Sequence, residues 1–269
     1  MANAPDKPRL RWWRFGLRTF FVVLTVGCVW LGWIVNRANK QRRVIQWVTG
    51  LEGRVHYDYE SANGGKFPVP NCLRNRIGID YFSNVITVDL IMRKVDNVAP
   101  LADLRGLTDL YLDFTQVADV MPLMHMTSLK HLYLYHTPVD DVTPLANLKK
   151  LEWLALGSTQ INDVTPLANL PMLEQLSLDN TQVSDLTPLA NLKCLKKLSV
   201  STTPVRDVTP LSNLKNLEWL VLSSTQINDV EPLAQLKNLK YLQLENTKVS
   251  KEDCDMLQRS LPSLQIGRD

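Results

Sequence analysis

Side chains able to carry out chemistry are few in this sequence and are widely spread. The four histidines are His56, His125, His131 and His136. None belongs to a G-x-S-x-G, H-E-x-x-H or phosphate-cradling glycine motif. We therefore interpret the histidines as surface residues, and we expect no catalytic activity, no cofactor and no metal site.

Six aspartates recur every 22 residues, so they form a column if the structure repeats with that period. They are Asp119, Asp141, Asp163, Asp185, Asp207 and Asp229. One interpretation is a ladder of cation sites. The other is that each carboxylate accepts N–H bonds from the turn that it begins. The turn sequence recurs with the aspartate, which favours the structural interpretation.

The 22-residue period runs through more than half of the chain without an insertion. A fixed period of this size indicates one structural unit stacked on copies of itself. Seven units are clear, with a proline and a threonine at constant positions. An eighth, degenerate unit precedes them, and it is marked by Val88, Leu90, Val95, Val98 and Pro100.

Each unit combines a strand with a return segment. In 151–170, Leu154 and Leu156 are two residues apart, which predicts a strand with one buried face. After Thr159 the apolar residues are three apart, which suits tight turns or a short 3₁₀ helix. Pro166 prevents a longer helix there. Stacked units would bury their leucines against one another in an α/β solenoid.

The strand motif L-x-x-L-x-L, followed by T-x-V/I-x-D-V/L-x-P-L, resembles the bacterial internalin-like leucine-rich repeats. The resemblance implies a horseshoe over 85–249 with a parallel sheet on its concave face, a surface that binds partners, usually proteins, and no catalysis. The family usually has asparagine where this chain has threonine. We expect the threonines to bond neighbouring coils in the asparagine's place. The units start at Leu107, Leu129, Leu151, Leu173, Leu195, Leu217 and Leu239.

Both ends of a solenoid need caps, because bare ends would expose the core. We assign 48–84 to an N-terminal cap, with a strand at 53–60, a turn at 63–68 and short helical pieces at 71–82. We assign 250–269 to a C-terminal cap. Its helix is expected to start at Ser250, with Asp253 completing a capping box and an apolar face on the last coil. That face would consist of Met256, Leu257 and Leu261.

The N-terminal region has the composition of a membrane anchor. A basic tail (1–14) precedes a predicted transmembrane helix (15–35), and a basic juxtamembrane segment (36–47) follows. A cleavable signal peptide and a lipoprotein signal ending at Cys28 are the alternatives. No small-x-small cleavage site follows the apolar run, which favours a retained single-pass anchor. Counting Arg18, whose side chain would reach outward from the start of the span, five basic residues flank the N-terminal end and four follow the span, so we expect the repeats on the exported side.

Charge and cysteine usage narrow the choice of partners. Residues 1–47 carry a net charge of +8 and the remainder carries −5, so the basic balance belongs to the membrane flanks. The net negative charge of the remainder gives no indication of the basic face of a nucleic-acid-binding protein, so we expect no nucleic-acid partner. The four cysteines contain no C-x-x-C motif. Cys28 lies in the predicted span, and the other three would be too far apart in a stacked solenoid to pair.

The residues that vary between units are those that face the concave side. Aromatic residues are frequent there, and exposed tyrosine and tryptophan are typical of binding surfaces. Cross-strand pairs that only stabilise the sheet are the alternative. We therefore predict a module that binds a protein or an envelope component, the alternative being a structural spacer without a specific ligand. The candidate residues are Tyr111, His131, Tyr133, Tyr135, Trp153, Trp219 and Tyr241.

Overall fold

The computed structural model of the protein describes residues 17–62 and 78–268. A long helix, α1 (Leu17–Gly50), leads into strand β1 (Arg54–Tyr57) and a short helix, α2 (Asp58–Ala62). A 3₁₀ turn at Ile79–Tyr81 precedes strand β2 (Val85–Asp89), where the repeating part begins. The predicted turn at 63–68 and Cys72 lie outside the described residues.

The repeats form a solenoid in which every coil adds one strand. Within the described residues β1 to β10 form a single sheet in chain order, with β1 antiparallel and all later neighbours parallel. Each coil returns through a five-residue 3₁₀ helix on the convex side, the first at Ala99–Asp103 and the last at Glu231–Gln235. The strands are β3 (Asp109–Tyr111), β4 (His131–Tyr133), β5 (Trp153–Ala155), β6 (Gln175–Ser177), β7 (Lys197–Ser199), β8 (Trp219–Val221), β9 (Tyr241–Gln243) and β10 (Gln265–Gly267).

The leucine spacing produces this fold because it places one buried residue at the centre of each strand. In β5, for example, Leu154 is buried while Trp153 and Ala155 face the concave side. Leu154 lies in register with Leu132 and Leu176 on the adjacent strands, so the leucines stack in rows through a continuous core. The predicted horseshoe, including its degenerate first unit at β2, is confirmed.

The aspartate column has the structural role expected of it. Asp141 Oδ1 accepts a 2.7 Å hydrogen bond from the Thr143 N–H at the start of the 3₁₀ helix. Asp163 and the Thr165 N–H repeat this arrangement at 2.8 Å in the next coil. Hydrogen bonds from the Thr165 hydroxyl and N–H lower the pKa of Asp163. These carboxylates therefore stabilise the turn at the start of the 3₁₀ helix in their coils.

The threonine column differs from expectation. Thr159 is buried, and its hydroxyl donates a 2.6 Å hydrogen bond to the carbonyl of Leu156 in its own coil. Neighbouring coils are joined instead by backbone bonds, such as Gln160 N–H to the Val139 carbonyl at 2.9 Å. A hydroxyl on a short β-branched side chain reaches the carbonyl three residues back, so the expected bond between coils is replaced by one within each coil.

The N-terminal cap begins earlier than the assigned boundary at residue 48. The assigned segments 36–47 and 48–50 belong to the one continuous helix α1, and its Ala38, Val44 and Val48 are buried against the first coil. These three buried residues are spaced at helical intervals, but charged residues lie between them, which makes the pattern hard to recognise in the sequence. The juxtamembrane segment is therefore part of the cap.

A buried glutamine joins α1 to the first strand of the repeats. The Gln41 amide donates to Asp80 Oδ1 (3.3 Å) and to the Ser83 carbonyl (2.9 Å). Its Oε1 accepts from the Val85 N–H at 3.2 Å. Arg42 pairs with Asp80 at 3.2 Å. These groups lie at the end of the sheet. Hydrogen bonds therefore hold α1 to that end of the solenoid, in addition to its apolar contacts.

Two further details of the caps differ from the sequence prediction. The strand at 53–60 ends at Tyr57, and Tyr59 lies in α2. At the other end, α3 (Lys251–Ser260) begins as predicted, with the Ser250 side chain accepting from the Asp253 N–H at 3.0 Å. Leu257 and Leu261 cover the last coil, but Met256 is 54% exposed. Cys254 takes its place in the buried face, since it lies three residues before Leu257.

The first half of α1 projects away from the repeats. Side chains from 18 to 33 are all exposed. The helix is long enough, and its most apolar part hydrophobic enough, to cross a membrane by length and composition. The helix continues without a break into the cap, so the apolar half and the solenoid are joined through one continuous helix.

Candidate functional site

The concave face presents the two outward residues of each strand in straight rows. One row runs from Asp109 through His131 and Trp153 to Gln175 and Lys197. The parallel register of the sheet sets this order, since equivalent positions of successive coils are hydrogen-bonded neighbours about 4.8 Å apart. The composition of these rows is what distinguishes one coil from the next.

Three of the predicted residues form a continuous stack, here called the aromatic row: Tyr111, Tyr133 and Trp153. Tyr111 and Tyr133 are in register and stack with ring centroids 4.6 Å apart. Trp153 lies diagonally against Tyr133 at 5.6 Å. Aromatic pairs at such distances contribute about 0.5–1.5 kcal/mol each beyond their buried area, so the stacking holds the rings in place.

The phenols of the aromatic row remain protonated over the physiological range. Burial raises the pKa of Tyr133 to about 12, and the neighbouring Tyr111, Asp109 and Asp113 add to the effect. Burial also raises the pKa of Tyr111, again with help from nearby aspartates. Both hydroxyls therefore keep their protons and are hydrogen-bond donors, and they lie close to acidic side chains.

His131 is tied into a charged network beside the aromatic row. Its Nδ1 makes a short contact with Asp109 Oδ1, and its Nε2 lies 3.8 Å from Glu152 Oε2. Glu152 also pairs with Lys130 at 2.9 Å. The ring is thus oriented by two carboxylates, and it forms part of the polar border of the surface.

Tyr135 extends the aromatic surface toward the edge where the strands end. It is 39% exposed, and its backbone N–H donates to Asp113 Oδ1 at 2.7 Å. A Cβ on Gly157 would come within 2.9 Å of a Tyr135 ring carbon, so the ring lies directly over that glycine. Glycine at this position lets the tyrosine lie flat on the sheet.

Two residues absent from the sequence prediction join Tyr135. Phe114 packs edge-on against Tyr135 at 5.4 Å, and His136 lies 5.1 Å from Phe114. Both have left-handed backbone conformations, with φ of 58° and 55°. In other coils the equivalent left-handed position holds a smaller polar residue, such as Ser158 or Asn180. The large Phe114 is therefore the signal in the sequence that could have revealed that the aromatic surface extends this far.

The remaining two predicted residues form a separate cluster, here called the aromatic pair: Trp219 and Tyr241. Their rings stack at 4.0 Å, and Trp219 is 44% exposed. Strands β6 and β7 separate this pair from Trp153, so the aromatic row and the aromatic pair do not touch. Three strand spacings place Trp153 and Trp219 about 14 Å apart.

Small side chains occupy the concave surface between the two clusters. Ala155, Ser177 and Ser199 are in register there, and Asp179 accepts hydrogen bonds from both serine hydroxyls, at 2.9 Å from Ser177. The Ser201 N–H also donates to Asp179, at 2.8 Å. The concave surface between the two clusters is therefore lined by small side chains around a carboxylate that is held by three hydrogen bonds.

Comparison with known proteins agrees with this architecture. The family model of leucine-rich repeats in two copies matches residues 171–213 and 215–259. Comparison with curated proteins gave no match. Internalin C2 from Listeria monocytogenes is 34% identical, with a TM-score of 0.66, and the match covers 69% of this chain and 81% of that one.

Two more solved structures are similar. A leucine-rich repeat protein from Leptospira interrogans is 25% identical, with a TM-score of 0.59, over 62% of this chain and 44% of its own. The functional domain of InlJ from L. monocytogenes shares the fold at 17% identity and a TM-score of 0.57, over 68% of this chain and 38% of its own. The identity and coverage of the internalin C2 match show that this chain belongs to the bacterial internalin-like family of leucine-rich repeat proteins.

Proposed function

We propose that the protein is a membrane-anchored, non-catalytic binding module that takes up a protein or another envelope component on its concave face. The observation that carries this proposal is the aromatic row, in which Tyr111, Tyr133 and Trp153 stack across three adjacent strands. Pre-ordered tyrosine and tryptophan offer large contact areas at little entropic cost, which is why they dominate binding hot spots.

The arrangement around the aromatic row also supports this proposal. Apolar rings form its centre, and polar groups such as Asp113 and His131 surround it. Protein interfaces combine an apolar centre with a polar rim in this way. The acidic border made by Asp89, Asp109 and Asp113 favours a partner with a basic or hydrogen-bond-donating segment.

Anchoring is the second part of the proposal. The exposed apolar side chains of α1 include Trp30 and Trp33 near the end of the predicted span, where tryptophan is enriched at membrane interfaces. We place the repeats on the exported side. A protease added to cells with opened outer layers should cleave the repeats without lysis, whereas protection until lysis would reverse this orientation.

The competing function is a structural spacer whose aromatic residues only stabilise the sheet. To separate the two, Tyr133→Ala/Trp153→Ala is compared with Met121→Ala/His125→Ala, whose wild-type residues are exposed on the convex side. The full-length chains are chemically cross-linked on intact cells and recovered. A discrete cross-linked species should form with the wild type and the convex variant and be lost with the concave variant. If the species survives in the concave variant, or never forms, the spacer is favoured.

A further inference from the structure

The direction of α1 relative to the sheet shows which edge of the solenoid lies on the side of the apolar half of the helix. Gln41 bonds the N–H of Val85, the first residue of β2. Seven residues later, Val48 lies with Leu90 around Gly53, beyond the end of β2. The helix therefore runs alongside β2 in the same direction, and its apolar half projects past the N-terminal ends of the strands.

A cleft shows which part of the first coil lies level with the end of the apolar half of α1. It has a volume of about 280 Å³ and lies between α1 and the first coil, lined by Trp33, Arg37 and Lys40 on one side and by Arg105 on the other. Arg37 also lies over the Trp33 ring, 5.5 Å from its centroid. The turn at 105–106 is thus at the height at which the apolar segment of α1 gives way to basic residues.

The equivalent turns of the later coils lie along the same edge, because each turn immediately precedes its strand. They are 105–106, 127–128, 149–150, 171–172, 193–194, 215–216, 237–238 and 262–263. These turns contain no aspartate or glutamate. They do contain six exposed cations, here called the basic edge: Arg105, Lys149, Lys150, Lys193, Lys215 and Lys237.

The charge of the basic edge is not neutralised within the described part of the chain. Lys149, Lys193 and Lys215 donate to backbone carbonyls, at 2.9, 3.1 and 2.8 Å, and no member of the edge has an ion pair among these residues. Lysines that directly precede the strands, by contrast, have acidic partners. Lys196 pairs with Glu174 at 2.8 Å and Lys240 with Glu218 at 2.6 Å.

At the opposite edge acidic residues outnumber the basic ones. The aspartate column, of which Asp163 and Asp185 are members, lies where each coil leaves its strand and starts the return, and it is joined there by Asp140. The solenoid is therefore polarised along the strand direction, which is also the direction of α1. An anionic surface below the strand N-termini would attract the near edge and repel the far one.

We propose that the basic edge docks on the anionic surface of the bilayer that holds α1, with phospholipid headgroup phosphates as its ligands. The inference rests on the anchoring proposed above. Basic residues next to an anionic leaflet are attracted to it over about one Debye length, some 8–10 Å at physiological salt. The stacking axis would then lie parallel to the membrane, and the concave face would open sideways, within reach of neighbouring envelope components.

The test uses the full-length chain in vesicles of phosphatidylcholine mixed with phosphatidylglycerol, or of phosphatidylcholine alone. A fluorescent donor is attached to the exposed Cys194 of the basic edge, after replacement of the other cysteines, and acceptors are placed on the headgroups. The comparison chain carries Cys194→Ser and Asn162→Cys, so that its donor sits at the opposite edge. Flotation of the vesicles reports separately whether the chain is anchored.

Charge dependence is tested with two matched sets of substitutions that remove the same net charge. The edge set is Lys149→Gln, Lys193→Gln, Lys215→Gln and Lys237→Gln, and the control set at the opposite edge is Lys94→Gln, Arg206→Gln, Lys248→Gln and Lys251→Gln. In mixed vesicles we expect energy transfer to be higher from Cys194 than from the Asn162→Cys donor. It should fall by about twofold with the edge set or in neutral vesicles, but not with the control set.

Two results would overturn the inference, and they can be told apart. A chain that floats with the vesicles but shows equal transfer from both edges, or no response to the edge set, would refute docking while leaving the anchor intact. A chain that fails to float would refute anchoring, and docking with it. Loss of the transfer difference at about 1 M salt, where the Debye length is near 3 Å, would further support an electrostatic contact.

Discussion

The indole of Trp153 lies against the phenol ring of Tyr133 on the adjacent strand, with the ring centroids 5.6 Å apart. The two residues are not opposite each other, because Trp153 is in register with His131 and Tyr133 with Ala155. The small Ala155 leaves room for the diagonal contact, which large rings can span in a sheet. A small residue thus shapes the aromatic row as much as the rings do.

The stacking within the aromatic row should be measurable as an interaction energy. A double-mutant cycle on Tyr111→Ala and Tyr133→Ala is expected to give a coupling of about 0.5–1.5 kcal/mol in the free energy of unfolding. The distant combination of Tyr111→Ala with Trp219→Ala should be additive within about 0.5 kcal/mol. Urea denaturation followed by circular dichroism provides both values, and equal coupling in the two cycles would contradict the stacked geometry.

The contact between Tyr135 and Gly157 predicts a local effect of added volume. In Gly157→Ala the new methyl would lie within 2.9 Å of the ring, so the ring must move off the sheet. We expect a loss of about 1–2 kcal/mol of stability and a changed near-ultraviolet circular dichroism spectrum. In the Tyr135→Leu background the same substitution should cost clearly less, and an equal cost would show that the ring is not the obstacle.

The coupling of α1 to the sheet depends on Gln41. In Gln41→Ala the Val85 N–H and the Ser83 carbonyl lose their partner in a buried site, which should cost about 1–3 kcal/mol. Hydrogen exchange at the Val85 amide should become faster. Gln46→Ala, on the exposed face of the same helix, is the control. Unchanged protection of Val85 in the Gln41 variant would rule out this role.

The pH dependence of stability should reveal the half-buried Asp113. Burial raises its pKa, the hydrogen bond from the Tyr135 N–H opposes this, and Asp89 adds to the rise. A carboxyl group with a higher pKa in the folded state holds its proton more tightly there. The free energy of unfolding therefore falls as the pH rises from below the pKa that the group has in the unfolded state to above the pKa that it has in the folded state.

Asp113→Asn removes this titration and keeps an oxygen to accept the Tyr135 N–H. Relative to the wild type, the variant should gain stability between about pH 3 and pH 7, by less than about 1 kcal/mol because the site is partly solvated. The exposed Asp140→Asn serves as the control. Urea midpoints measured across this range would contradict the assignment if the two variants responded alike.

The repeat architecture could be predicted in detail because its apolar residues follow a strict spacing. Leu154 and its equivalents need only a period of 22 residues and a two-residue alternation to be placed in the core. The concave positions follow from the same alternation, which is why Tyr133 and Trp153 were found without a structure. Periodic burial is the strongest signal that a sequence carries.

The features that escaped prediction are those in which no repeat supplies a pattern. The buried stripe of α1 contains Ala38 and Val44 among arginines and lysines, so local charge concealed it. Met256 and Cys254 are both apolar enough for the cap, and only the pitch of α3 decides which is buried. Phe114 was missed because its ring leans from a left-handed turn that strand alternation does not describe.

The central claim, that the concave aromatic face binds a partner, is tested most directly by photo-cross-linking in intact cells. The photoreactive residue p-benzoylphenylalanine replaces Gln175, which is in register with Trp153, and in a second chain it replaces the exposed Gln160 outside the concave face. We predict one discrete adduct from position 175, lost when Trp153→Ala is added, and none from position 160. Absence of an adduct at 175, or the same adducts from both positions, would contradict the account.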